Sequence, residues 1–203
     1  MGTKFSTRVW VSVVGIASIF FGSKGYADTV ISVADFGLKP DTRENAVAYV
    51  QKAIEACRGK EPVTLVFPEG RYDFWPQYAH EKNYYETNTY DVFPKRLAML
   101  FEGLHNITVD GSGSQFVMHD RIQPITVENC DGVTLKNFSI DWDIPLTAQA
   151  RVTKVGSDFF EIEINVLESP YIIEDGKLVF VGEGWKSALG SMIEFESDTH
   201  FVV

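Results

Sequence analysis

The 203-residue sequence predicts a mostly β protein built as a parallel β-helix, and three observations carry that expectation. One is a weak internal repeat. Asn106-Ile107-Thr108-Val109-Asp110-Gly111 lines up with Gly132-Val133-Thr134-Leu135-Lys136-Asn137, from 106 to 132, an offset of 26. Another is that further short β-type runs, Gln115–Met118, Pro124–Glu128 and Phe138–Ile140, fill the same stretch, each bounded by Gly, Asn, Asp or Pro. Strands of a few residues recurring at a period in the twenties read as one layer per repeat, stacked at the ordinary inter-strand spacing of about 4.8 Å. The last is the N-terminal half, a helix flanked by short strands. A sandwich also places short strands between turns; that half decides for the β-helix.

Ahead of the fold, residues 1–27 read as a secretory signal peptide. Lys4 and Arg8 begin it, Val9–Gly22 is an apolar run, and Gly25-Tyr26-Ala27 supplies small residues before a cleavage site at Asp28. The apolar run is short against the roughly 20 residues that span a bilayer. The protein is therefore expected to be exported, periplasmic or secreted. Loss of Lys4, Arg8 and Lys24 would take the formal charge from −10 to −13. So acidic a chain argues against nucleic acid and against an anionic membrane as partner. A neutral substrate such as a sugar is compatible with it. Cys57 and Cys130 lack His or Cys partners at ligand spacing, so no zinc site is expected.

Val30–Val33 reads as a strand, and Asp35-Phe36-Gly37 as the turn out of it. Asp41 is the expected helix N-cap, with Glu44 as its reciprocal partner. Val47, Val50, Ile54 and Cys57 then form one helical face, and Gly59 suits a left-handed C-cap, giving about four turns. Val63–Phe67 is a buried strand closed by Pro68-Glu69-Gly70, and Arg71–Phe74 follows it. Residues 75–94 form a long irregular segment in which Trp75, Tyr78, Tyr84, Tyr85 and Tyr90 offer rings to sugars or pack the segment against the stack. Leu97–Phe101 is the next strand. After Pro145 the pattern changes: Thr147–Lys154 and Phe159–Val166, joined by Gly156-Ser157-Asp158, read as an antiparallel hairpin, and Leu178–Val181 and Ser191–Phe195 continue in that style. Tight hairpins do not belong to parallel layers, so 28–146 is expected to hold the cap and first layers, and 147–203 an inserted antiparallel β unit, incomplete here.

The segment Ile31-Ser32-Val33-Ala34-Asp35-Phe36-Gly37, the helix with Gln51-Lys52-Ala53-Ile54, and Val66-Phe67-Pro68-Glu69-Gly70-Arg71-Tyr72 resemble the opening of the pectate-lyase-like right-handed β-helix superfamily. The resemblance implies that the helix caps the open N-terminal end of the stack, where unpaired strand and apolar side chains need cover.

Ile140-Asp141-Trp142-Asp143-Ile144-Pro145 is the sharpest polar constellation. On a strand, Asp141 and Asp143 share a face, with Cα atoms about 6.6 Å apart. That is compatible with the roughly 6.5–9.5 Å carboxyl separation of inverting glycosidases. It is equally compatible with hydrogen bonding of sugar hydroxyls beside the Trp142 ring, with Ca²⁺ binding, or with turn chemistry before Pro145. His119-Asp120-Arg121 is a second polar cluster about one layer away, able to face the same groove or to be an exposed turn. Gly111-Ser112-Gly113 precedes a strand and not a helix, which excludes a phosphate cradle.

Taken in order and spacing, ISVADFG…VFPEGRYDFWPQY, FEGLHNITVDGSGS and CDGVTLKNFSIDWDIPLTA resemble the N-terminal part of glycoside hydrolase family 110, exported bacterial exo-α-1,3-galactosidases. The resemblance implies removal of terminal α-1,3-linked galactose from blood-group-B-type or linear glycans, with inversion, no cofactor and no metal. It implies a carbohydrate substrate and no nucleic-acid or membrane partner. It also places the catalytic acid and base C-terminal to Val203, so that the isolated chain is expected to be inactive. Asp141, Trp142 and Asp143, with His119, Asp120 and Trp75, are the expected sugar-binding residues. A pectate-type lyase or polygalacturonase, a glycan-binding adhesin or spike, and a structural β-helix are the competing readings.

Overall fold

In the computed structural model, which describes residues 29–83 and 94–202, parallel ladders run through the first half of the chain and antiparallel ones through the second. The described residues are mostly β, with one α-helix among them. The predicted signal segment 1–27 and the rings of Tyr84, Tyr85 and Tyr90 lie outside the described residues.

β1 (Thr29–Ser32) ends in a short 3-10 turn over Val33–Phe36. Ser32 Oγ accepts the Ala34 N–H and Asp35 accepts the Ser32 N–H, while Gly37 closes the turn at φ 93°, a conformation glycine adopts without Cβ strain. α1 runs over Val47–Cys57 and buries Val47, Val50, Ala53, Ile54 and Cys57, the face its spacing predicts. Its start differs from expectation. Asp41 and Arg43 both sit at φ 61°, outside the helical region, and Asp41 Oδ1 accepts the Arg71 N–H instead of capping the helix. Asn45 serves the first turn, its Oδ1 accepting the Val47 N–H at 3.1 Å. With 11 residues, α1 makes about three turns, one fewer than predicted.

β2 (Val63–Val66), β3 (Arg71–Phe74), β4 (His80–Lys82), β5 (Lys95–Glu102), β6 (His105–Met118), β7 (Gln123–Glu128) and β8 (Asp131–Trp142) follow. β1, β2, β6 and β8 stack in parallel, so that Ile31, Leu65, Val109 and Leu135 fall in one column. β3 pairs with β6, and β5 with β7, also in parallel. Ile107 opposes Val133, which is the repeat offset of 26 read as spatial pairing. Further along the same two strands the offset becomes 24, since Ser114 opposes Phe138. β6 carries the surplus between Asp110 and Ser114 as a bulge at Gly111-Ser112-Gly113. Gly111 is obligatory there, because a Cβ would stand 2.5 Å from Phe138 Cβ and 2.7 Å from the Asn137 carbonyl oxygen.

The core lies inside this parallel stack and under α1. Phe67, Tyr72, Phe74 and Phe116 are fully buried there, and Phe116 packs 4.7 Å from both Phe67 and Phe138. Cys57 is buried on α1, and burial pushes its thiol up to about 11. Cys130 is partly buried and donates to the Phe101 and Glu128 carbonyls.

β9 (Arg151–Val155) and β10 (Phe160–Glu163) form an antiparallel pair. β11 (Tyr171–Glu174), β12 (Lys177–Gly182) and β13 (Trp185–Ala188) form an antiparallel meander. The run Ser191–Phe195 is in no named strand, and Phe195 makes only a bridge to Val202. Sequence reading found neither β11 nor β13: Tyr171-Ile172-Ile173 is a short apolar run without alternation, and after Trp185 the strand β13 holds only Lys186, Ser187 and Ala188. Among the described residues of this half, Val179 alone is a buried apolar residue.

Candidate functional site at the strand ends

The last register of the parallel stack sets Phe74, Met118 and Trp142 side by side. The residues that follow are Trp75, His119 and Asp143. Two backbone bonds carry the ladder on to them, His119 N–H to the Phe74 carbonyl at 2.9 Å and Asp143 N–H to the Met118 carbonyl at 3.1 Å. Three residues singled out from sequence are thus neighbours across three strand ends. Their separations, 44 and 24 positions, differ because of the distance between β3 and β6 and the bulge in β6.

Alternation places Arg71 and Asp73 on one face of β3, two residues apart. Arg71 grips the Asp73 carboxylate through Nε and Nη2, at 3.0 and 2.6 Å to Oδ1. The same Nη2 donates to Asp143 Oδ1 at 2.6 Å. Arg43 reaches in from the clamped loop before α1, its Nη1 3.3 Å from Asp143 Oδ1 and 3.6 Å from Asp73 Oδ1. Its side chain is 58% exposed, whereas that of Asp73 is 0% exposed. His119, also buried, lies with Nε2 2.9 Å from Asp73 Oδ1 and Nδ1 2.8 Å from both Glu183 oxygens. Both contacts are hydrogen bonds at once only when the ring carries a proton on each nitrogen. Trp75 covers the ring in a parallel stack, with centroids 3.8 Å apart and planes 11° apart.

Burial alone would push the Asp73 carboxyl up, but the bonds from Arg71 and His119, with the nearby charge of Arg43, outweigh it and hold Asp73 below the usual carboxylate range. Arg71 holds Asp143 down as well, aided by His119 and Arg43. Between two carboxylates, Arg71 is itself pushed further from deprotonation, mainly by Asp73. Asp73, His119 and Asp143 each offer a ligand atom within 4.8 Å of the others, a spacing that suits a cation. The Arg71 guanidinium, 2.6 Å from both carboxylates, already supplies the positive charge at that position, so the set does not fit a metal site.

The remaining predicted residues sit beside the cluster. Trp142 packs partly buried against the core, and its indole N–H donates to the Asp120 carbonyl at 3.2 Å. Asp120 at φ 54° donates its own N–H to Glu183. Asp141 is exposed and accepts the Trp142 N–H, so the two aspartates flanking Trp142 have different partners despite sharing a face. Arg43, Arg71, Asp73 and Glu183 were missed in the sequence. The signal available for two of them was the Arg-x-Asp spacing on a strand, which puts both side chains on one face. Among the described residues, a shallow hollow of about 370 Å³ lined by Pro76, Gln77, Tyr78, Ala79, Glu81 and Arg96 contains none of these groups.

The fold and cluster together define a mostly β protein with stacked parallel strands and an ion-paired, aromatic-flanked polar site at the strand ends. A family model described as GLAA-B beta-barrel domain I matches residues 148–203. Alpha-1,3-galactosidase B of Bacteroides thetaiotaomicron is 59% identical over 177 residues, covering 87% of this chain and 29% of the relative. Alpha-1,3-galactosidase A of Shewanella woodyi is 36% identical over 169 residues, 82% of this chain and 28% of the relative. Alpha-1,3-galactosidase B of Phocaeicola vulgatus is 36% identical over 199 residues, 96% of this chain and 31% of the relative. Over most of its length the chain is related to these proteins named as α-1,3-galactosidases, and it spans less than a third of their length.

Proposed function

We propose that this chain is the N-terminal region of an exported glycoside hydrolase that removes terminal α-1,3-linked galactose from glycans, of blood-group-B type or linear, with inversion. The observation that carries the reading is the 59% identity over 177 residues to a protein named as an α-1,3-galactosidase. In this reading residues 1–27 are the export signal, 28–146 are the capped opening of a right-handed parallel β-helix, and 147–203 are an inserted antiparallel unit. Parallel pairing of β1, β2, β6 and β8 with α1 packed over the core supports that architecture.

The sugar-binding set is Asp143 and Trp75, with His119 and Asp120 behind them and Trp142 and Asp141 alongside. Asp143 is ionised and 37% exposed, so it can accept hydrogen bonds from sugar hydroxyls. A general acid must instead hold its proton near neutral pH. Asp73 and Asp143, both held down by Arg71, do not suit that role. That argument bears on the acid alone; it is the resemblance to the longer relatives that assigns both acid and base to the part of their length that this chain does not span.

The test is to incubate the full-length enzyme containing this chain with an α-1,3-linked galactobiose, following released galactose and its first-formed anomer by NMR. Release of β-galactose is expected, with no turnover by residues 28–203 alone. Absence of galactose release from any α-1,3-galactoside would sink the proposal, and turnover by the isolated chain would sink the assignment of the catalytic pair.

A further inference from the structure

The turn between β12 and β13 docks on the strand-end cluster through four separate contacts. Glu183 binds His119 Nδ1 at 2.8 Å and accepts the Asp120 N–H at 3.3 Å. Gly184, at φ 74°, lies so close to the Asp120 carboxylate that no Cβ fits between them. The guanidinium of Arg121 stands 5.9 Å from the centre of the Trp185 ring. From there the polar contacts form an unbroken series. Glu183 meets His119, His119 meets Asp73 Oδ1, Asp73 is gripped by Arg71, and Arg71 Nη2 holds Asp143 Oδ1. His119 and Asp73 within this series are buried, so neither can trade its partner for water without cost.

We propose that Glu183 and His119 are positioning residues through which the antiparallel unit sets the placement of Asp143, with Asp73 and Arg71 as the links. Asp73 Oδ1 takes hydrogen bonds from both His119 and Arg71. When His119 is held by Glu183, it supplies one of those bonds, and Arg71 Nη2 remains free to share itself with Asp143. When His119 swings away, Asp73 draws more of the Arg71 guanidinium, and Asp143 is left to Arg43 at its longer distance of 3.3 Å. The unit carrying β12 and β13 thereby acts on a sugar-facing group with which it has no direct bond. The proposal rests on the reading that Asp143 faces the sugar. Its test measures the coupling alone, so failure of that reading leaves the result interpretable.

The test is the titration midpoint of the Asp143 side-chain carbon by NMR, assigned with Asp143→Asn, in the 203-residue chain and in Glu183→Gln. The groups facing Asp143 and its relay are Arg43, Arg71, Asp73, His119 and Glu183. Removing the Glu183 charge by itself favours the ionised Asp143 and lowers its midpoint. Loss of positioning raises it. The expected result is a rise of about 0.5 or more, roughly a threefold change in proton affinity. His119→Gln is expected to move it the same way. Glu174→Gln makes the same change of charge in the same unit, on a residue paired with Lys186, and is expected to leave the midpoint without a rise. An unchanged or lowered midpoint in Glu183→Gln overturns the proposal. Should His119→Gln fail to fold, Glu183→Gln decides alone, since Glu183 is partly exposed and outside the core.

Discussion

Replacing Arg71 by Met removes the guanidinium but keeps most of the aliphatic stem. Asp73 then stays behind as a carboxylate with a 0% exposed side chain, retaining His119 at 2.9 Å and Arg43 at 3.6 Å. Removing one partner of a buried ion pair costs about 3–5 kcal/mol, because the other charge remains buried and uncompensated. The surviving bond from His119 puts this case at about 3 kcal/mol. For a chain of this size that corresponds to a fall of roughly 6–12 °C in melting temperature. The sign with pH follows from the burial. Without Arg71, desolvation pushes the Asp73 carboxyl up, so the variant regains stability relative to wild type as acid protonates it. Urea unfolding at pH 7 and pH 4.5 measures both features. A loss under about 1 kcal/mol at pH 7, or a loss that does not shrink in acid, would refute the view of Arg71 as the counter-charge that makes a buried Asp73 tolerable.

Gly111→Ala should destabilise by about 2 kcal/mol or more, since the added methyl meets Phe138 and the Asn137 backbone, which cannot both withdraw; a thermal midpoint equal to wild type would contradict the bulge geometry. Phe116→Ala should cost about 3–5 kcal/mol, emptying the site between Phe67 and Phe138, and denaturant unfolding reads it. Asp143→Asn tests linkage. The folded carboxyl is held low, so its contribution is present above the unfolded value near 3.9 and disappears as pH falls through the folded one. Because Asp143 is more than a third exposed, wild type and variant should differ by only about 1 kcal/mol at pH 7, and their melting points should converge as pH falls through the lowered folded value.

The face of α1 was legible because Val47, Val50, Ile54 and Cys57 recur at helical spacing, and apolar burial obeys that periodicity wherever the helix packs. The pairing of Ile107 with Val133 was legible for the same kind of reason, since stacked parallel strands put like residues in columns. Where local rules competed, sequence reading failed. Asp41 has the chemistry of an N-cap, yet the loop from 38 to 45 is bound to β3, and Asp41 bonds Arg71 there. Gly70 permits that approach, as a Cβ on it would collide with Pro40.

For the site, the residue types available were written in the chain: the Trp, His and Asp that follow β3, β6 and β8, each a polar or aromatic residue just past a strand. The tertiary structure alone decided that they meet. The register between β6 and β8 changes from 26 to 24 at a bulge, so no single repeat period brings His119 opposite Asp143. The charges that hold the cluster together, Arg43, Arg71, Asp73 and Glu183, come from three separate segments, the loop before α1, β3 and the turn after β12, and Glu183 arrives from an antiparallel unit whose docking no periodicity encodes. Ion pairs act through space over a few ångströms, and chain order carries no record of which distant charges the stacked backbone will bring within that reach.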